Sequence, residues 1–159
     1  MRIATRKGIG FGLTSGIITT LGLMVGLTSG THSKKIVLGG ILLIAIADTL
    51  SDALGIHISE ESGSRKTTEK QIWTSTFATG FSKFIFALSF TIPVLLFVLE
   101  TAVIVGIIWG FLLISTFSYY IAKKRKEKPF SAIFEHTLIA IIVVVLTYFM
   151  GTWINSWVI

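Results

Sequence analysis

Apolar residues run in five long blocks, separated by short polar stretches. Residues 8–33 contain no Asp, Glu, Lys or Arg, and at 1.5 Å per residue such a helix crosses a bilayer. Residues 36–59 form a second block, interrupted only by Asp48 and Asp52. The polar stretch EESGSRKTTEK (60–70) precedes a third block, 71–99, with Lys83 inside it and Pro93 near its end. Glu100 marks a short turn before the charge-free run 101–122. KKRKEKP (123–129) is a basic loop whose proline suits the first turn of a helix. A last charge-free run, from His136 to Ile159, carries Trp153 and Trp157 as an aromatic belt. The pattern predicts an all-α polytopic membrane protein, one transmembrane domain over residues 1–159. Its five helices are expected at about 8–30, 35–60, 72–99, 101–122 and 130–157.

Composition agrees. Of 159 residues, 52% are apolar and 14% charged, against about 25% charged in soluble domains; mean hydropathy is +0.82. A chain this short cannot hide so much apolar surface in a water-soluble core. A basic start followed by an apolar run also describes a signal peptide. Here the run is too long and lacks a small-residue cleavage site, so no cleaved signal is expected. The net charge of +6 does not indicate nucleic acid, because the basic residues cluster at the ends of apolar runs. With five spans, Arg2, Arg6, Lys7, Arg65, Lys66, Lys70, Lys123, Lys124, Arg125, Lys126 and Lys128 fall on one side and only Lys34 and Lys35 on the other. The positive-inside rule then places the N-terminus in the cytoplasm and the C-terminus outside or in a lumen; the cell membrane is the expected location. There is no cysteine, no Ser/His/Asp arrangement, no H-E-x-x-H and no phosphate-cradling loop, so no enzyme is expected.

Polar residues inside the spans carry the candidate chemistry. A mid-membrane aspartate costs at least about 2.5–3.5 kcal/mol, and the second helix holds two. At 100° per residue, Asp48, Ser51, Asp52, Gly55 and Ser59 share a face, while His57 and Glu61 point the opposite way. Carboxylates one turn apart can share a divalent cation or carry protons. They can equally form a structural pair that holds helices together. His57, Glu60 and Glu61 form a second candidate metal cluster at the cytoplasmic end of this helix, or simply a solvated helix end. Lys83 is expected to snorkel to the inner headgroups, Glu135 and His136 to mark an interface, and Glu100 to be solvated. In the first helix, glycines at 8, 12 and 16, then 22, 26 and 30, form a small-residue face suited to helix association. Thr14, Ser15, Thr19 and Thr20 add hydroxyls for a polar path.

Several strings resemble the vacuolar iron transporter family. GLTSGIITTLGLMVGL (12–27) resembles its first helix, and ADTLSDALGIHISEES (47–62) its second. Pro93 with Val94 and Leu95 is similar to its Pro-Leu step, and LTYFMG (146–151) to its closing T-Y-x-x-G. The resemblance implies transport of Fe2+ or Mn2+, proton-coupled antiport out of the cytoplasm, and a homodimer with its pathway along the first helices. No resident cofactor is implied. On this reading Asp48 and Asp52 are metal ligands, Thr14, Ser15 and Ser51 line the path, and His57, Glu60 and Glu61 collect metal on the cytoplasmic side. The family's first-helix Asp falls on Ser15, its second-helix Met on Asp52 and its Glu on Ile56, and its large insertion between helices two and three is reduced to residues 63–70. The alternative is a non-transporting membrane scaffold or assembly subunit with structurally paired acids.

Overall fold

The computed structural model describes residues 2–63 and 67–158. All its regular structure is helical: α1 (Arg2–Thr31), α2 (Lys34–Glu61), α3 (Glu69–Ser89), α4 (Thr91–Leu96), α5 (Leu99–Arg125) and α6 (Pro129–Val158). Helices α3 and α4 together form one span, so five segments are long and apolar enough to cross a membrane. Arg65 and Lys66, which count toward the charge asymmetry, lie outside the described residues.

The spans are longer than the charge-free runs. Helix α1 begins at Arg2 rather than near residue 8, because Arg6 and Lys7 have the length to stay solvated on a helix that leaves the hydrocarbon. Turns are tight. His32, at φ 50°, reverses the chain between α1 and α2, and Ser33 caps α2 by accepting from the Ile36 N–H. Thr68 donates its N–H to Gln71 Oε1 at 2.9 Å at the start of α3. Lys126, at φ 58°, ends α5. The third span breaks at Phe90, one turn before Pro93: proline has no N–H to donate and its ring clashes with the carbonyl four residues back, on Ser89, where α3 ends.

Helix α1 is the hub, packed against α2, α3, α5 and α6. Its two glycine trios lie in successive halves of the helix, their centres 14 residues and so about 21 Å apart along the axis, and each meets a different neighbour. The first trio meets α3. A Cβ on Gly8 would collide with the Ser75 carbonyl, one on Gly12 with Thr79 and Ser82, and one on Gly16 would stand 2.9 Å from the Lys83 carbonyl. The second trio meets α6 at Val143, Thr147 and Gly151. The small-residue faces that carried the expectation of self-association are therefore filled within the chain. Lipid offers no hydrophobic drive between helices, so this close backbone packing holds α3 and α6 to the hub. Leu13, Ile17, Leu21 and Met24 of α1 form the apolar core with Val37, Ile41, Phe90 and Val94. Outward positions such as Leu43, Phe81 and Phe149 are exposed and apolar, as a lipid-facing surface requires.

Candidate intramembrane charge site

Gly12 and Gly16 bring α3 close enough for its Lys83 to reach across the bundle. Lys83 is only 1% exposed, and its ammonium lies 2.5 Å from Asp48 Oδ2 and 2.5 Å from Asp52 Oδ2. Its third contact is the Ser15 hydroxyl at 2.9 Å. Ser15 in turn donates to Asp52 Oδ2 at 2.6 Å. Thr19 donates toward Asp48 Oδ2 at 3.1 Å and toward the Ser15 carbonyl at 2.8 Å. The ammonium thus donates to Ser15 and Asp52 and forms an ion pair with Asp48. The result is a five-residue cluster drawn from α1, α2 and α3, with two negative charges and one positive.

This corrects the expectation for Lys83. The residue lies 14 positions into its span, about 21 Å from the helix start, far beyond the reach of a side chain seeking the headgroups. The neighbouring residues on its face are small and buried: Ser75, Thr76, Thr79, Ser82 and Ala87. That face could only turn inward, and the two aspartates are there. A mid-span lysine on a small-residue face, in a chain with two unmatched mid-span acids, was the available signal.

The cluster is sealed on the α3 side and open on the other. Side-chain exposure is 28% for Asp48 and 20% for Asp52. Asp48 and Thr19 are the polar residues at one end of a groove of about 720 Å³ between α1 and α2, whose other walls are Leu23, Leu27, Leu43, Ile44 and glycines.

The remaining candidates are dispersed. Ser51 is exposed, and Thr14 donates to the Gly10 carbonyl of its own helix at 2.8 Å. Glu60 pairs with Lys7 at 2.5 Å, which ties the end of α2 to the start of α1. His57 Nδ1 lies 3.0 Å from the Thr76 hydroxyl, and its ring sits edge-on to Trp73 at 4.6 Å. Glu61 is exposed at the end of α2. Among the described residues, no three His, Asp or Glu side chains form a group able to hold a metal ion; His57 faces Thr76 and Trp73, Glu60 faces Lys7, and Glu61 is exposed. His136 Nδ1 lies 2.8 Å from the Ser118 hydroxyl, and Glu135 and Glu100 are exposed. Thr19, which belongs to the cluster, reads in the sequence only as one of several path hydroxyls. No protein-family model and no curated protein matches the chain.

Proposed function

We propose that this chain is a membrane cation transporter whose substrate site is the Asp48–Asp52 pair, with Lys83 as the tethered counter-ion that holds the pair between transport events. The observation that carries the reading is the open side of the cluster. A carboxylate in a membrane span is tolerated where it faces protein or a water-filled cavity, and Asp48 faces a lateral groove. A pair serving structure alone has no need of that opening. Five helices suit the bilayer, and the basic clusters favour a cytoplasmic N-terminus.

The charge balance sets the order of events. With Lys83 seated, the cluster carries one net negative charge, and a divalent cation entering it must displace the ammonium from between the carboxylates. The freed site offers carboxylate oxygens backed by Ser15 and Thr19, a hard-oxygen set without thioether or thiolate. Such a set discriminates little between Mn2+ and Fe2+, the two substrates the family resemblance implies. Asp48's exposure also supports a homodimer formed by covering the α1–α2 groove, where Gly39 has no atom within 4 Å of a Cβ; this replaces the first-helix glycines as the contact.

A second reading draws on one specific observation: the full pairing of Lys83 is what a scaffold protein with a structural charge cluster would also have. Equilibrium Mn2+ binding to the purified protein, followed by the loss of the free-ion paramagnetic signal, separates the two. The transport reading expects saturable binding that Asp48→Asn or Asp52→Asn removes. Absence of saturable binding in the wild type favours the scaffold.

A further inference from the structure

We propose that the cleft between the first turns of α1 and the last turns of α5 binds the headgroup of an anionic phospholipid. This inference is independent of the charge cluster. The cleft has a volume of about 730 Å³, and four cations line it: Arg6 and Lys7 from α1, Lys124 and Arg125 from α5. Two of them have carboxylate partners, Lys7 with Glu60 and Arg125 with Glu127. Among the described residues, Arg6 and Lys124 have none, so the cleft keeps an excess of two positive charges. Lys124 is held over the Tyr120 ring, 4.1 Å from its centroid, and bonds the Tyr120 hydroxyl, which fixes its ammonium at the rim.

Helix electrostatics account for only half of this gathering. Basic residues in the last turn of α5 complement its dipole. Arg6 and Lys7 stand in the second turn of α1, where no helix dipole favours a cation. With Lys7 and Arg125 paired, Arg6 and Lys124 still share the cleft, and an anion between them would relieve their repulsion.

The anion's chemistry follows from what lies beneath. Ile9 is three residues from Arg6, while Ile121 and Phe117 are three and seven residues from Lys124, so each helix presents cations above apolar side chains on one face. Gly10 lies against the Phe117 ring, which would be in ordinary contact, 3.6 Å, with a Cβ there. A phosphate at the rim with an acyl chain running along Ile9, Ile121 and Phe117 fills both halves. A soluble phosphate would leave the apolar half bare. Basic pockets between transmembrane helices at the cytoplasmic face are suited to such headgroups, and this end carries the chain's basic clusters.

The test is native mass spectrometry of the full chain, released from micelles with equal amounts of phosphatidylglycerol and phosphatidylcholine. The wild type should retain phosphatidylglycerol in preference. The double variant R6Q/K124Q should lose at least tenfold of that preference, and K126Q/K128Q, which removes as much charge outside the cleft, should keep it. Ile121→Trp blocks the acyl half without changing charge and should lower retention as well, which guards against a folding defect specific to the charge variant. Equal retention of the two lipids by the wild type, or unchanged retention in R6Q/K124Q, overturns the proposal. So does displacement of the lipid by an equal concentration of glycerol 3-phosphate, which would identify a site for soluble phosphate.

Discussion

Lys83→Met is the perturbation that tests the charge cluster most sharply. Methionine nearly matches the lysine stem in length and volume, so the change removes the charge, its two ion pairs and its two hydrogen bonds, and little packing. The ammonium touches both Oδ2 atoms at 2.5 Å, which places those oxygens no more than about 5 Å apart. At an effective dielectric near 20, two bare carboxylates at about 5 Å repel by roughly 3 kcal/mol. Removing one partner of a buried ion pair costs about 3–5 kcal/mol in other proteins. Because Asp48 and Asp52 are 28% and 20% exposed, screening moves the expectation to the lower end, about 3 kcal/mol. That is roughly a hundredfold in the folded-to-unfolded ratio. Reversible unfolding in mixed detergent and dodecyl sulfate micelles, followed by circular dichroism, measures it. Adding Asp48→Asn and Asp52→Asn to Lys83→Met removes all three charges and should recover most of the loss, leaving a deficit of no more than about 1.5 kcal/mol from imperfect hydrogen bonding. A single Lys83→Met variant within about 1 kcal/mol of wild type, or a triple variant no better than the single, would refute the claim that the lysine neutralises the pair.

Three further outcomes are expected. Since the chain has no cysteine, single cysteines at Lys126 and Ser156 can be labelled without background; Lys126→Cys should react only from the cytoplasmic face and Ser156→Cys only from the opposite one, and reaction of both from one side would break the five-span topology. Gly16→Leu and Gly22→Leu should each destabilise the single chain by about 1–3 kcal/mol or more, because their side chains would meet Lys83 and Val143; normal stability with loss of self-association alone would return these glycines to an intermolecular role. Ser15→Ala removes the donor to Asp52 and the third acceptor of Lys83 and should cost about 1–2 kcal/mol in the same unfolding assay, with an effect below about 0.5 kcal/mol counting against a built cluster.

The five spans were legible because a bilayer demands one thing of every outward face, and long charge-free runs report it directly. The fine boundaries were less so. Runs of uncharged residues end where the hydrocarbon ends, while α1 continues further because Arg6 and Lys7 are exposed. Pro93 was visible, yet the break falls at Phe90 because the proline acts on the carbonyl four residues earlier. The aspartates read as a polar face of α2 and Ser15 as a path hydroxyl of α1, but spacing along one helix says nothing about which neighbour completes it. Lys83 was the missing partner, and its burial depends on α3 packing against Gly12 and Gly16. The same gap explains the glycines: their spacing signals close approach, but not that the first trio would meet α3 and the second α6. Glu60 beside Lys7 is likewise a contact between helix ends far apart in sequence.

The claim that Asp48, Asp52 and Lys83 form a transport site is tested most directly by divalent-ion flux into proteoliposomes. Vesicles containing the wild-type chain should take up Mn2+, and Fe2+ to a similar extent, at rates well above protein-free vesicles. Asp48→Asn and Asp52→Asn, checked for insertion and helical content, should each bring uptake down to the protein-free rate. Uptake that is the same in the wild type and both Asn variants, or no uptake by a folded wild type under any imposed ion gradient, would contradict the account.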